Sequence, residues 1–86
     1  MASYSVELTR TAEKQFRTIA KRDLNRIVDA IRGLAERPRP QGARKLHGYD
    51  DVYRIRVGKY RIVYEVFDDR VVVIVLKVGH RKDVYR

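Results

Sequence analysis

The chain predicts an α+β fold of order βααβββ, in which a two-helix hairpin packs on one face of a twisted antiparallel sheet. Two observations carry this. Hydrophobic residues recur at helical spacing over residues 12–35, and the chain from residue 52 on turns to Val, Ile and Tyr in runs separated by hairpin-sized turns. A third is length: 86 residues suffice for one small domain, spanning 1–86, that buries roughly 60% of its unfolded surface.

"SYSVEL" alternates Tyr4, Val6 and Leu8 against Ser3, Ser5 and Glu7, the period-2 pattern of a half-buried strand. Thr9 or Thr11 then caps a helix whose apolar face is Ala12, Phe16, Ile19 and Ala20. Arg10, Lys14, Arg17 and Lys21 fall on its opposite side, within roughly 60° of one another. That stripe is either a contact for nucleic acid or an ordinary solvated face. "KRD" breaks the helix, and Asp23 is positioned to cap a second, whose Leu24, Ile27, Val28, Ile31, Leu34 and Ala35 span about 120°. "ERPRPQG" ends it, because proline disfavours helical backbone at the preceding residue. The two helices then pack as a hairpin. "RKLHG" reads as a short strand or ordered loop and "YDD" as a turn. Residues 52–57, 60–67 and 70–78 read as strands joined through "GK" and "DD", with "VVVIVL" apolar enough for burial on both faces.

Twenty Lys and Arg against eleven Asp and Glu give a net charge of +9, which points to a polyanionic partner, nucleic acid or an acidic protein. Residues 1–40 carry 9 basic and 5 acidic side chains and residues 41–86 carry 11 and 6, so the excess belongs to the fold and not to a tail. With no cysteine there is no disulfide or thiolate metal site, in keeping with a reducing compartment, and no apolar run approaches the roughly 18 residues of a membrane span. The expected location is the cytoplasm, without membrane attachment. Two histidines, and acids that sit mainly in the turn pairs Asp50-Asp51 and Asp68-Asp69, leave no metal or other cofactor expected.

The hairpin over residues 52–67 defines the candidate site. With Gly58-Lys59 as a type II′ turn, Val57 pairs with Tyr60, Arg56 with Arg61, Ile55 with Ile62, Arg54 with Val63 and Tyr53 with Tyr64. One face then collects Tyr53, Ile55, Val57, Tyr60, Ile62 and Tyr64, and the other collects Arg54, Arg56 and Arg61. Directly opposed like charges destabilise a sheet by up to about 1 kcal/mol. The arginine face is thus either solvated, with Glu65 partly neutralising it, or an anion site. "KVGHRKDVYR" adds His80, Arg81 and Tyr85 beyond the last strand, a titratable imidazole, a guanidinium and an aromatic hydroxyl.

"TRTAEKQF", "KLHGYDDVYRIRVGKYRIVYEV" and "VGHRKDVYR", in this order and over nearly the whole chain, resemble the RelE/ParE superfamily of toxins from toxin–antitoxin pairs, and within it the RelE-like messenger-RNA endonucleases. The resemblance implies a βααβββ toxin fold, metal-independent cleavage of mRNA in the ribosomal A site, and contact with ribosomal RNA. It also implies inhibition by an acidic RelB-like antitoxin in a hetero-oligomer. Carried over by position, the catalytic set is Arg54, Arg56, Arg61, Arg81 and Tyr85, with His80 as a candidate acid. Arg10, Lys14, Arg17, Lys21, Lys45 and Lys82 are the candidate RNA-binding residues. At Arg54 and Arg56 the family pattern often has lysine; a guanidinium, with a pKa above about 12, is a poor general base. The rival reading is a ParE-like toxin that poisons DNA gyrase through protein contacts, and a third is an RNA-binding relative without catalysis.

Overall fold

Thr9 joins the first strand to the first helix and ties both to the last strand. Its backbone is extended (φ −69°, ψ 162°), its Oγ1 accepts a hydrogen bond from the Ala12 amide at 3.1 Å, and the same hydroxyl donates to the Leu76 carbonyl at 2.9 Å. One side chain thereby satisfies an orphan amide of the helix N-terminus and anchors it across the sheet.

The computed structural model describes residues 3–80. Within them lie β1 (Ser5–Leu8), α1 (Arg10–Phe16), α2 (Lys21–Glu36), β2 (Arg44–Lys45), β3 (Val52–Val57), β4 (Tyr60–Phe67) and β5 (Val72–His80). The strands form a five-stranded sheet of order β1-β5-β4-β3-β2. The α+β class and the βααβββ course hold, with two refinements. β2 is a two-residue strand, and β1 runs parallel to β5 while the other neighbours are antiparallel. Tight turns enforce antiparallel pairing between β3, β4 and β5, but β1 meets β5 from the far end of the chain, where no turn constrains its direction.

Both helices cover one face of the sheet. Ala12, Ile19, Ile27, Ile31 and Leu34 pack against Ile55, Ile62, Tyr64, Val66, Val73, Val75 and Val78 to form the main core. On the other face Val52 and Val63, with Leu46 and Leu76, make a small separate cluster. The apolar run 71–76 is therefore buried on one side only: Val73 and Val75 are inaccessible, whereas Val72, Ile74 and Leu76 remain half-exposed because no helix lies over them.

Three local expectations change. α1 ends at Phe16, so Lys21 belongs to α2 and the four-residue basic stripe is split between two helices. The N-cap of α2 is Ala20, which makes no side-chain cap, while Asp23 sits in the first turn, where its charge favours the helix dipole without capping. The final strand covers 72–80 and not 70–78, because the turn runs through Asp68, Asp69, Arg70 and Val71, closed by the Arg70 and Val71 amides donating to the Phe67 and Asp68 carbonyls at 3.2 and 3.3 Å. Val71 holds φ 57° there, an unfavourable state for a β-branched residue.

Loop 37–43 crosses from α2 to β2 and is pinned by aromatic hydroxyls. Buried Tyr64 donates to the Pro38 carbonyl at 2.7 Å, and its ring stacks on Tyr53 at 5.9 Å. Arg39 donates to the Tyr53 hydroxyl at 2.9 Å and forks onto Asp68 at 2.7 and 3.1 Å, while Tyr4 donates to the same carboxylate at 2.7 Å. The Arg39 hydrogen bond, and after it that of Tyr4, holds the Asp68 carboxyl down to about 2.

Candidate nucleic-acid interface on the helix-free face

Each of the five β3–β4 pairs expected from the Gly58-Lys59 turn is present. Gly58 has φ 60° while Lys59 is not in the positive-φ region, the combination a type II′ turn requires. The two-residue turn sets the register, the register sets the faces, and Arg54, Arg56 and Arg61 emerge together on the side away from the helices. Arg54 and Arg61 are half-buried and Arg56 is exposed.

Two further cations join them. Arg44 pairs with Arg54 across β2–β3, and Lys77 pairs with Val63 across β4–β5, so both share the arginine face. Arg44, Arg54 and Arg56 line a cleft of about 310 Å³ together with Gln41, Gly42 and Ile55. It opens where β2 stops, since β2 pairs only with Tyr53 and Arg54. Sequence reasoning missed Arg44 because its register with Arg54 depends on a long connection through residues 46–51 and not on a tight turn. It missed Lys77 because the β4–β5 register shifts between Val63 and Tyr64. That irregularity places an extra residue in β5, leaves Leu76 and Lys77 on the helix-free side, and turns Val78 into the core, where it is fully buried.

The same shift decides where His80 goes. His80 pairs with Tyr60 and Gly79 with Arg61, so the imidazole lies on the helix side, edge-on to the Tyr60 ring at 6.1 Å and 68°. The expected cluster of His80 with the hairpin arginines does not form, because successive strand residues alternate faces and Gly79, not His80, has the arginine parity. Arg10, Lys14, Arg17 and Lys21 are exposed in the helical layer, on the opposite side of the sheet from the arginines. Lys45, paired with Tyr53, has helix-side parity as well. Arg81, Lys82 and Tyr85 lie outside the described residues.

Next to the basic rows comes an acidic one: Glu7, Ile74, Glu65 and Val52 are consecutive cross-strand partners on the same face. The helix-free face is thus positive toward the hairpin tip and negative midway along the strands. Among the described residues, no three His, Cys, Asp or Glu side chains come together as a metal-binding group, and no helix is long and apolar enough to cross a membrane. Such a face can hold and polarise a phosphodiester through charge-assisted hydrogen bonds.

Two helices laid over one face of a mixed sheet, with basic rows gathered near the hairpin tip on the other, define a small two-layer α+β domain. The family model described as ParE toxin of type II toxin–antitoxin system, parDE, matches residues 6–85, and the chain belongs to the RelE/ParE toxin superfamily of type II toxin–antitoxin systems. It is 33% identical to the mRNA interferase toxin RelE of Escherichia coli (strain K12) over 82 residues, 93% of this chain and 85% of that one. It is 31% identical to toxin RelG of Mycobacterium tuberculosis, over 96% of this chain and 97% of that one. Among solved structures, the RelE–RelB complex from Pyrococcus horikoshii OT3 superposes with a TM-score of 0.83 at 28% identity, covering 95% of this chain and 99% of the matched chain. The intact E. coli RelBE complex gives 0.80 at 31% identity, covering 91% and 96%.

Proposed function

We propose that this toxin is a metal-independent, ribosome-dependent endoribonuclease that cuts mRNA in the A site, halts translation in the cytoplasm, and is held inactive by an acidic RelB-like antitoxin in a hetero-oligomer. The observation that carries the reading is the convergence of Arg54, Arg56 and Arg61 on the helix-free face, a set of guanidinium groups whose charge and paired N–H donors suit a phosphodiester. An RNA strand supplies its own nucleophile. Its 2′-OH attacks the adjacent phosphorus, the P–O5′ bond breaks, and the products are a 2′,3′-cyclic phosphate and a 5′-OH. The protein then has to orient the strand and stabilise charge on the pentacoordinate phosphate, and permanently protonated guanidinium groups suit that work. Arg56 and Arg61, directly opposed, grip the scissile phosphate, with Arg54 one row away. Arg81 adds charge and Tyr85 stacks on an unpaired base, roles carried over from the family pattern. Arginine does not accept the 2′-OH proton, so water takes it, and water likewise delivers the proton that the leaving O5′ needs to become the 5′-OH. His80, on the other side of the sheet, is given no proton-transfer step.

Primer extension on mRNA after induction tests this: new 5′ ends that vanish in Arg61→Ala support the nuclease, whose rate should fall about 10²–10³-fold on loss of one preorganised donor. The ParE family match motivates the second reading, a gyrase poison. Intact mRNA together with DNA-damage signalling would establish that reading and overturn the first.

A further inference from the structure

The nuclease reading accounts for three arginines of the hairpin, but the face carries two more cations outside the carried-over set. We infer that Arg44 and Lys77 are backbone-phosphate contacts that guide the RNA across the sheet, perpendicular to the strands, so that it enters over β2 and leaves over β5; this rests on the nuclease reading. Arg44, Arg54, Val63 and Lys77 are successive cross-strand partners and form one transverse row. Neighbouring strands are about 4.8 Å apart, so the row spans roughly 14 Å from Arg44 to Lys77. The Arg56–Arg61 row runs beside it, two residues and roughly 6.7 Å along the strands.

Charge fixes the direction. A nucleic acid running along the strands would pass from the arginines onto the row that holds Glu65 and Glu7, where phosphates are repelled. A strand crossing at right angles meets cations at both ends of the row and the small apolar cluster of Val52, Val63, Leu46 and Leu76 beside it, against which a ribose or base can lie. Arg44 and Lys77 are both exposed, and among the described residues neither is held in an ion pair, so neither is committed to the fold. The short β2 and the β5 irregularity, the two features that bring these residues onto the face, lie on either side of the arginines. Both residues act as positioning groups, since contacts to phosphate fix register and leave the chemistry to the arginine pair.

The test is the salt dependence of binding. A short single-stranded RNA, 2′-O-methylated throughout to block cleavage, is titrated with wild-type toxin and with Arg44→Gln and Lys77→Gln, by fluorescence anisotropy from roughly 50 to 200 mM salt. Each variant should flatten the slope of log K against log salt by about 0.7, and the double variant by about 1.4. Arg22→Gln, exposed in the helical layer, should leave the slope at the wild-type value. In single-turnover cleavage the toxin concentration at half-maximal rate should rise for each variant while the rate at saturation stays within about twofold. Slopes unchanged in both single variants overturn the inference, as does an equal flattening by Arg22→Gln. If wild-type toxin cuts mRNA and Arg61→Ala does not, yet these slopes stay put, only the transverse path fails. If wild-type toxin leaves mRNA intact, it is the nuclease reading that fails.

Discussion

Removing a single oxygen, in Tyr64→Phe, should destabilise the protein at neutral pH and relieve its sensitivity to alkali. The Tyr64 ring is inaccessible to solvent and stacked on Tyr53, and phenylalanine keeps both features. What is lost is the 2.7 Å hydrogen bond from the hydroxyl to the Pro38 carbonyl, which leaves that carbonyl without its donor. A lost bond of this kind with a stranded partner costs about 1–2 kcal/mol. For a domain of this size 1.5 kcal/mol lowers Tm by about 6–12 °C. The alkaline effect follows from the proton. Burial, and after it the neighbouring Tyr53 phenol, pushes the Tyr64 hydroxyl up from 10.0 to about 12, so the folded state holds the phenol neutral where the unfolded chain ionises. That contribution is fully present below pH 10 and is lost as pH rises through about 12. Tyr64→Phe has no such proton, and the gap to wild type should narrow in this window. Thermal unfolding followed by circular dichroism at pH 7 and across pH 9–12 measures both. A Tm within about 2 °C of wild type at pH 7, with an alkaline decline as steep as wild type's, would refute the reasoning.

Asp68→Asn should remove an acid-sensitive limb: because the Asp68 carboxyl is held below its ordinary value of 3.8, its contribution is present above that pH and is lost as pH falls through about 2, so urea midpoints of the variant should change less over that range than those of wild type. Gly58→Ala should cost more than about 1 kcal/mol in urea unfolding, because φ 60° disfavours any Cβ; the nearest atom to that Cβ, Arg26 Nη1 at 3.5 Å, adds no clash, so a neutral substitution would show that the hairpin turn is not strained as described. His80→Gln should leave the single-turnover rate within about tenfold of wild type from pH 5.5 to 9, whereas loss of a general acid would slow it by about 10²–10⁴ and restore His80 to the chemistry.

The sequence by itself determined what short-range physics controls. Gly58-Lys59 allows one turn geometry, that turn admits one register, and the arginine face of the hairpin follows without reference to the rest of the protein. Likewise the apolar stripe of residues 24–35 predicts α2, and Ile27, Ile31 and Leu34 are its buried positions. Tertiary structure decided whatever depends on partners far apart in the chain. The parallel meeting of β1 with β5 and the pairing of Arg44 with Arg54 are long-range contacts, specified by how whole elements pack. The extra residue in β5 is the most consequential of these. Simple alternation through residues 72–80 would put Lys77 in the core and His80 among the arginines. Burying Val78 while the Thr9 hydroxyl holds the Leu76 carbonyl reverses the parity of everything after it. An uncompensated lysine is costly to bury whereas a valine gains by it, and that difference, realised only once α1 lies on the sheet, sends Lys77 to the basic face and His80 away from it.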